Sequence, residues 1–103
     1  TIGLRRYAEG GEAADATHHV RMFAPHAGIP EDPATGSAAA ALPGQVALAG
    51  ALADGTQRWI VEQGFEMGRP SRIHVTVEAN GGAVASVRVG GEAVPVMRGQ
   101  LDF

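Results

Sequence analysis

The sequence predicts an α+β fold in which a curved, mostly antiparallel sheet wraps around one central Ala-rich helix. Strand patterns lie on both sides of a single Ala- and Leu-rich segment that begins at Ser37. Residues 73–78 alternate strictly between apolar and polar side chains, and pairs of glycines separate the later strands. Because no repeat or internal linker interrupts the 103 residues, we predict a single domain over residues 1–103.

The first half of the chain predicts two strands followed by a helix. Residues 2–8 read as the first strand and residues 19–23 as the second, with a polar loop between them. A rigid turn with two prolines comes next, and helix-forming residues run from 37 to about 52. Pro43 lies inside this segment, where a proline costs ~3 kcal/mol in a regular helix, so we expect a kink or break there.

The second half predicts an antiparallel meander. A strand at residues 58–63 and a loop at 64–71 precede the alternating segment, in which Ile73, Val75 and Val77 share one face and His74, Thr76 and Glu78 share the other. Two glycine pairs act as turn signals for the last strands. These predicted elements are the turn Gly81-Gly82, the strand 83–89, the turn Gly90-Gly91 and the strand 92–98.

Composition argues against several classes of partner. Eight arginines, no lysine and eleven acidic residues give a net charge of -3 without a basic run, which argues against nucleic acid. The absence of cysteine excludes disulfides and thiolate metal sites, and a reducing cytoplasm is the predicted location. The longest apolar stretch, residues 38–52, is interrupted and too short to span a membrane. Since Thr1 is not an initiator Met, we expect a fragment of a longer protein.

The loop before the predicted helix is the strongest candidate for chemistry. Two prolines flank an acidic pair and present Asp32 rigidly, directly before the helix start. Gly36 allows a ligand to approach the backbone, and the first helical N–H groups with the helix dipole form an anion site. An acid beside a bound carboxylate suits proton transfer on the neighbouring carbon. Local pattern alone also fits a helix-capping arrangement in which Thr35 or Ser37 takes part.

Histidines and Arg69 give weaker signals. His18, His19 and His26 lie close together, but adjacent residues on a strand point to opposite faces and cannot bind one ion, so we predict no metal. His74 alternates with core valines, which predicts a solvent-facing or edge position. Arg69 could hold an anion bidentately, although a lone loop arginine is more often a structural or surface residue.

Three sequence blocks resemble the carboxy-terminal half of the PhzF-like phenazine-biosynthesis family. They are Arg21-Met22-Phe23-Ala24-Pro25, then Gly28-Ile29-Pro30-Glu31-Asp32-Pro33-Ala34-Thr35-Gly36-Ser37-Ala38, and Gln63-Gly64-Phe65-Glu66-Met67-Gly68-Arg69-Pro70-Ser71. The middle block is the hallmark of that family, and the similarity extends over residues 20–101. The resemblance implies half of the diaminopimelate-epimerase fold, in which two similar domains form the active site between them.

The resemblance also implies a function. Members are cofactor-independent isomerases or epimerases of small carboxylates, and the founding activity isomerises trans-2,3-dihydro-3-hydroxyanthranilate. The site residues of the family fall on Asp32 as the acidic proton-handling or hydrogen-bonding residue, and on Gly36 and Ser37 as carboxylate binders at the helix start. No cofactor is implied. The cysteine pair of the diaminopimelate epimerases is absent, so that chemistry is excluded for this chain.

The principal glutamate acid/base of the family and its partner histidine belong to an amino-terminal domain that has no counterpart in these residues. We therefore expect this chain to be inactive alone and completed by that domain, by a separate subunit or by a second copy in a homodimer. Two other interpretations remain open: a non-catalytic carboxylate-binding or interaction module, and a fragment without a role of its own.

Overall fold

Six strands and one α-helix make up the computed structural model, which describes residues 3–103. The elements in chain order are β1 (Leu4–Glu9), β2 (His18–Ala24), a 3-10 turn (Pro25–Ala27), β3 (Ile29–Asp32), α1 (Gly36–Leu48), β4 (Gly55–Gln63), β5 (Ser71–Asn80) and β6 (Ala83–Gly90). The predicted α+β class is confirmed. Of the predicted first strand, residue 2 lies outside the described residues and the remainder corresponds to β1.

All six strands belong to one sheet with the order β1-β2-β4-β5-β6, and β3 pairs with β2 outside this path. Neighbouring strands are antiparallel except β2 and β4, which run parallel. The meander β4-β5-β6 matches the first three of the four strands predicted for the second half. Because β1 occupies one edge of β2 along its whole length, β3 and β4 must follow each other along the other edge.

The core lies between α1 and one face of the sheet. In β5 the buried residues are Ile73, Val75 and Val77, as the alternation predicts, and the helix contributes Ala39 and Leu42. Trp59 and Val61 of β4 lie in the same cluster. Small and β-branched side chains dominate this core, consistent with a composition that holds only five percent aromatic residues.

The helix differs from the prediction at two points. It is not broken at Pro43, which lies inside the continuous helix with its ring buried in the core. Burial of the ring helps to offset the backbone hydrogen bond that proline cannot make. The helix also ends at Leu48 rather than near residue 52, because Gly50 takes a left-handed conformation, with φ of 71°, and its amide donates back to Ala47.

The sheet differs from the prediction in the proline-rich segment before α1 and in the segment after β6. Residues 29–32, predicted as part of a turn, form the short strand β3, which tolerates Pro30 because it lies at an edge. The predicted strand 92–98 is wrong: after β6 the chain has no regular structure. Val94 and Val96 are 82% and 89% exposed, because no neighbouring strand covers them within residues 3–103. Among these residues, no helix is long and apolar enough to cross a bilayer.

Candidate active site

The candidate site lies where β3 and β4 end beside each other. Asp32 is the last residue of β3 and pairs with Met22, while Gln63 is the last residue of β4 and pairs with Val20. Since Val20 and Met22 are two residues apart on β2, their side chains share a face, and so do those of Asp32 and Gln63. Buried Val20 shows that this is the face covered by the core. The pairings therefore place Asp32 beside Gln63 on the core face of the sheet, directly before the start of α1.

The Asp32 side chain is half-buried and hydrogen-bonded within its own loop. Its Oδ2 atom accepts a hydrogen bond from the Thr35 hydroxyl at 2.5 Å. The backbone carbonyl of Asp32 accepts a second bond from the Gln63 side chain. Both the carboxylate and the main chain of this residue are thus fixed relative to the first turn of the helix.

Gln63 is fully buried, with 0% of its surface exposed, and its amide satisfies three polar groups of the loop. Nε2 donates to the Asp32 carbonyl at 2.7 Å and lies 2.9 Å from the Thr35 hydroxyl oxygen. Oε1 accepts the backbone N–H of Thr35 at 3.3 Å. A buried amide is stable only when its hydrogen bonds are made, so Gln63 and the loop depend on each other.

The first residue of β5, Ser71, and the first residue after β4, Gly64, both pack against the Asp32 loop. The Ser71 hydroxyl donates to the Pro33 carbonyl at 2.7 Å. Gly64 is buried with φ of +83°, and a Cβ atom there would lie 2.9 Å from the same carbonyl oxygen and would overlap the carbonyl of Arg69. The sequence blocks around Asp32 and around Gly64 therefore form one packed unit, although about thirty residues separate them.

The start of α1 presents uncapped backbone amides to the surface. Thr35 is the N-cap residue, but its side chain makes no capping hydrogen bond, and no acidic residue lies in the first turn. Gly36 and Ser37 are exposed. The first N–H groups of a helix have no intrahelical acceptor, and with the helix dipole they favour an anion. The capping alternative is therefore not what the structure shows, because Thr35 donates to Asp32 instead.

Gly36 is not required by packing within the described chain. A Cβ atom at this position would have only the Val89 side chain nearby, at an ordinary contact distance of 3.8 Å. Space thus remains open beside the amides of the helix start, where a ligand could approach the backbone.

The opposite face of the sheet carries a cluster of charged residues centred on His19. Its Nδ1 atom lies 2.5 Å from Glu62 and its Nε2 atom 2.7 Å from Glu66. These two hydrogen bonds, with Glu66 the larger effect, raise the pKa of His19. Burial alone would raise the pKa of Glu62, but hydrogen bonds from His19 and from the amides of Glu12 and Ala13 lower it overall. The cluster joins β2, β4 and two loops.

Arg21 and Glu31 extend this charged face to the strand that carries Asp32. Arg21 Nε lies 2.7 Å from one carboxylate oxygen of Glu31, and its terminal nitrogen lies 3.3 Å from the other. Hydrogen bonding to Glu31 raises the pKa of Arg21. Because Glu31 precedes Asp32, this bidentate pair fixes β3 on the face opposite to the acid.

The remaining candidates of the sequence analysis lie away from Asp32. His18 packs against Trp59 on the core face while His19 faces the other side, which confirms their opposite orientations. His74 is exposed, as predicted, and Arg69 is exposed and makes no ion pair with residues 3–103. Over the same range, no group of three or more potential ligands could hold a metal ion.

Sequence reasoning missed Gln63, Ser71 and the hydroxyl of Thr35 as supports of the acid. The signal for Gln63 lies in its place as the polar last residue of a buried strand, just before Gly64. A polar side chain at such a position needs a partner, and the Asp32 loop is that partner.

The fold matches that of PhzF-like proteins, which have the diaminopimelate epimerase-like fold. A solved structure described as the phenazine biosynthesis protein of the PhzF family from Bacillus anthracis superposes with a TM-score of 0.67 and 25% identity. The match covers 84% of this chain and 29% of that chain.

The chain belongs to the family described as phenazine biosynthesis-like protein, whose family model matches residues 5–99. An uncharacterized isomerase from Mesorhizobium japonicum is 49% identical over 87 residues, covering 84% of this chain and 29% of the relative. The trans-2,3-dihydro-3-hydroxyanthranilate isomerase of Pseudomonas aeruginosa is 41% identical over 80 residues, covering 78% of this chain and 28% of the relative. The chain thus spans less than a third of the length of these relatives.

Proposed function

We propose that this chain supplies one half of the active site of a cofactor-independent isomerase that acts by proton transfer on a small carboxylate. The observation that carries the proposal is the side-by-side placement of Asp32 and the uncapped helix start, with Gln63 fixing the loop between them. Family membership supports the reaction type, since relatives are named isomerases. Trans-2,3-dihydro-3-hydroxyanthranilate, or a related compound, is the proposed substrate.

In the proposed reaction the substrate carboxylate binds the amides at Gly36 and Ser37, where the helix dipole stabilises negative charge. Anchoring the carboxylate brings the carbon chain of the substrate toward Asp32, which takes up or returns a proton at a nearby carbon. The hydrogen bond from Thr35 leaves one carboxylate oxygen of Asp32 available for this transfer. In this reaction Gly36 and Ser37 bind and orient the substrate, and Asp32 holds the proton, without a cofactor.

A second proton-handling group must come from outside these 103 residues, because moving a proton between two positions generally needs groups on both sides of the substrate. We propose that an amino-terminal domain, a separate subunit or a second copy supplies it. Two features support this. The match covers only 29% of the Mesorhizobium japonicum relative, and the segment after β6 exposes large apolar side chains that a partner would cover. In a homodimer, two Asp32 groups would lie across one cleft.

Replacing Asp32 tests the proposal in whichever assembly turns over the substrate. We expect Asp32→Asn to abolish turnover of trans-2,3-dihydro-3-hydroxyanthranilate while the substrate still binds, because the amide keeps the shape of the carboxylate but cannot take up the proton. Asp54→Asn is the matched control: Asp54 is exposed, accepts the Gly82 amide through an oxygen that asparagine retains, and lies in the loop before β4.

The alternative, a non-catalytic carboxylate-binding module, predicts a different result. Ligand binding would survive Asp32→Asn, and neither the original chain nor any assembly containing it would turn over the substrate. Turnover that is unchanged in Asp32→Asn would remove Asp32 from the mechanism altogether. The cytoplasmic location stays a prediction from composition.

A further inference from the structure

Three side chains form a directed hydrogen-bond chain that ends on the acid. It runs from the Gln63 amide to the Thr35 hydroxyl and from there to Oδ2 of Asp32, with separations of 2.9 Å and 2.5 Å. Gln63 is completely buried, so its amide does not exchange these partners for bulk water. The direction of each hydrogen bond can be derived from the chemistry of the groups alone.

The orientation of the Gln63 amide follows from two backbone groups. The N–H of Thr35 can only donate, so the atom facing it at 3.3 Å must be the side-chain oxygen of Gln63. The carbonyl of Asp32 can only accept, so the atom facing it at 2.7 Å must be the NH₂ group. Both constraints select the same orientation of the amide.

This orientation also fixes the Thr35 hydroxyl. Because the NH₂ group of Gln63 donates to Oγ1, the hydroxyl oxygen accepts there and its single proton is free to point elsewhere. Asp32 Oδ2 is the acceptor in reach. Within residues 3–103, no hydrogen bond reaches the other carboxylate oxygen, Oδ1.

We propose that Gln63 and Thr35 are positioning residues that hold the Asp32 carboxylate in one rotation, so that Oδ1 is the oxygen that exchanges the proton with substrate. This inference rests on the proposed function of Asp32 and adds the residues that orient it. Both residues act through Asp32: Thr35 through its hydrogen bond to Oδ2, and Gln63 through its hydrogen bond to the Thr35 hydroxyl. Their effect is to keep Oδ2 hydrogen-bonded to the Thr35 hydroxyl, which leaves Oδ1 as the carboxylate oxygen for the substrate anchored at the helix start.

Thr35→Val tests the hydroxyl in the assembly that turns over trans-2,3-dihydro-3-hydroxyanthranilate. Valine has the shape of threonine but cannot donate, so we expect kcat to fall about tenfold to a hundredfold. KM should change little, because the helix amides that bind the carboxylate remain. Thr35→Ser keeps the hydroxyl and should restore most of kcat, which a purely structural role of the threonine methyl group would not allow.

Gln63→Met tests the other end of the chain. Methionine fills a similar volume but cannot orient the hydroxyl, so we expect a fall in kcat of the same size as in Thr35→Val. Gln57→Met is the matched control, because Gln57 lies on the same strand and its amide donates to the Ala53 carbonyl, away from the Asp32 loop. Equal kcat in Gln63→Met and the original protein would overturn the proposal.

The outcome for Asp32→Asn separates this inference from the proposed function. If Asp32→Asn is inactive while Thr35→Val keeps full kcat, the positioning role is wrong and the proposed function stands. If Asp32→Asn keeps turnover, the proposed function itself fails.

A spectroscopic measurement on the 103-residue chain tests the orientation of the Thr35 side chain without turnover. Three-bond couplings from the Thr35 methyl carbon to its backbone nitrogen and carbonyl carbon report the side-chain rotamer. We expect one rotamer in the original chain and averaged values in Gln63→Met. Averaged couplings in the original chain, or a single unchanged rotamer in Gln63→Met, would contradict the proposed chain of hydrogen bonds.

Discussion

At the level of single residues, Gly64 links the two sequence blocks of the site. Its left-handed backbone and its close approach to the Pro33 carbonyl leave no room for a side chain. We expect Gly64→Ala to lower the free energy of unfolding by about 2 kcal/mol or more, because the new methyl group must displace backbone rather than a flexible side chain. Urea denaturation followed by circular dichroism measures the change.

Gly44→Ala is the matched control for this substitution. Gly44 lies in α1, and apart from its chain neighbours and the backbone of the helix no atom lies within 4 Å of the position that a new methyl group would take. Alanine favours helix over glycine by about 1 kcal/mol. We expect equal or greater stability for this variant. If Gly64→Ala were as stable as Gly44→Ala, the close packing of the two loops would be wrong.

The charged cluster around His19 predicts how stability depends on pH. The raised pKa of His19 means that its contribution is fully present below about 6.5, the ordinary value, and is lost as the pH rises through the raised pKa. The lowered pKa values of Glu62 and Glu66 mean that their contributions are lost as the pH falls below about 4.5. Burial lowers the pKa of His18, which also reduces stability below about 6.5.

These shifts together predict a maximum in the free energy of unfolding near pH ~6.5, with a decline on both sides. Loss of the proton from His19 causes the decline in the free energy of unfolding on the alkaline side, so this decline should be much smaller in His19→Gln. Urea denaturation at a series of pH values from about 4 to about 9 measures both curves. An unchanged alkaline decline in His19→Gln would show that other groups cause it.

At the level of elements, the buried side chains of α1 stabilise its packing against the sheet, and its exposed side chains do not. Leu42 is 1% exposed in the core, whereas Leu48 is 91% exposed on the same helix. We expect Leu42→Ala to cost about 2–5 kcal/mol of unfolding free energy, because it removes buried contacts and leaves a cavity. Leu48→Ala, measured in the same denaturation experiment, should cost little, and equal losses would contradict the placement of the helix.

Element prediction succeeds where local pattern decides structure. The alternation in β5 and the Gly81-Gly82 turn depend on residues close in sequence, and both match the structure. The end of α1 and the strand β3 depend on the conformation of one glycine and on a pairing with β2, which composition does not reveal. Of the kink or break expected at Pro43, the break is wrong because the cost of proline in a helix is local, while burial of its ring is a tertiary effect.

The predicted strand at residues 92–98 fails for a related reason. Alternating apolar residues predict a strand only when a neighbouring strand is present to pair with it. Within residues 3–103 no such neighbour lies beside this segment, and its apolar side chains remain exposed. The pattern is therefore consistent with a strand that forms against another domain or another copy.

For the site, the sequence locates Asp32 and the start of the helix because both lie in one short loop. It does not locate Gln63, which is about thirty residues from Asp32 and reaches it only through the pairing of β2 with both β3 and β4. The charged cluster on the opposite face escapes prediction likewise, since His19 and Glu62 meet through a parallel pairing of distant strands.

At the level of the whole molecule, the exposed apolar side chains after β6 predict association. Val94, Val96 and Met97 are each more than 80% exposed. We expect light scattering to show a dimer or a co-purified partner chain, because a patch of this kind is unfavourable in water. Replacing the three residues by serine should give a monomer. A monomer at all concentrations in the original chain would contradict this expectation.

The most direct test of the half-site is a titration of the ¹⁵N-labelled 103-residue chain with anthranilate, a simple aromatic carboxylate, followed by NMR. We predict saturable shifts of the Gly36 and Ser37 amides, with chloride at the same ionic strength as the control. The same shifts should appear in Asp32→Asn, since Asp32 handles the proton and the helix start binds the carboxylate. Saturable shifts elsewhere, with unchanged amides at Gly36 and Ser37, would contradict the proposed site.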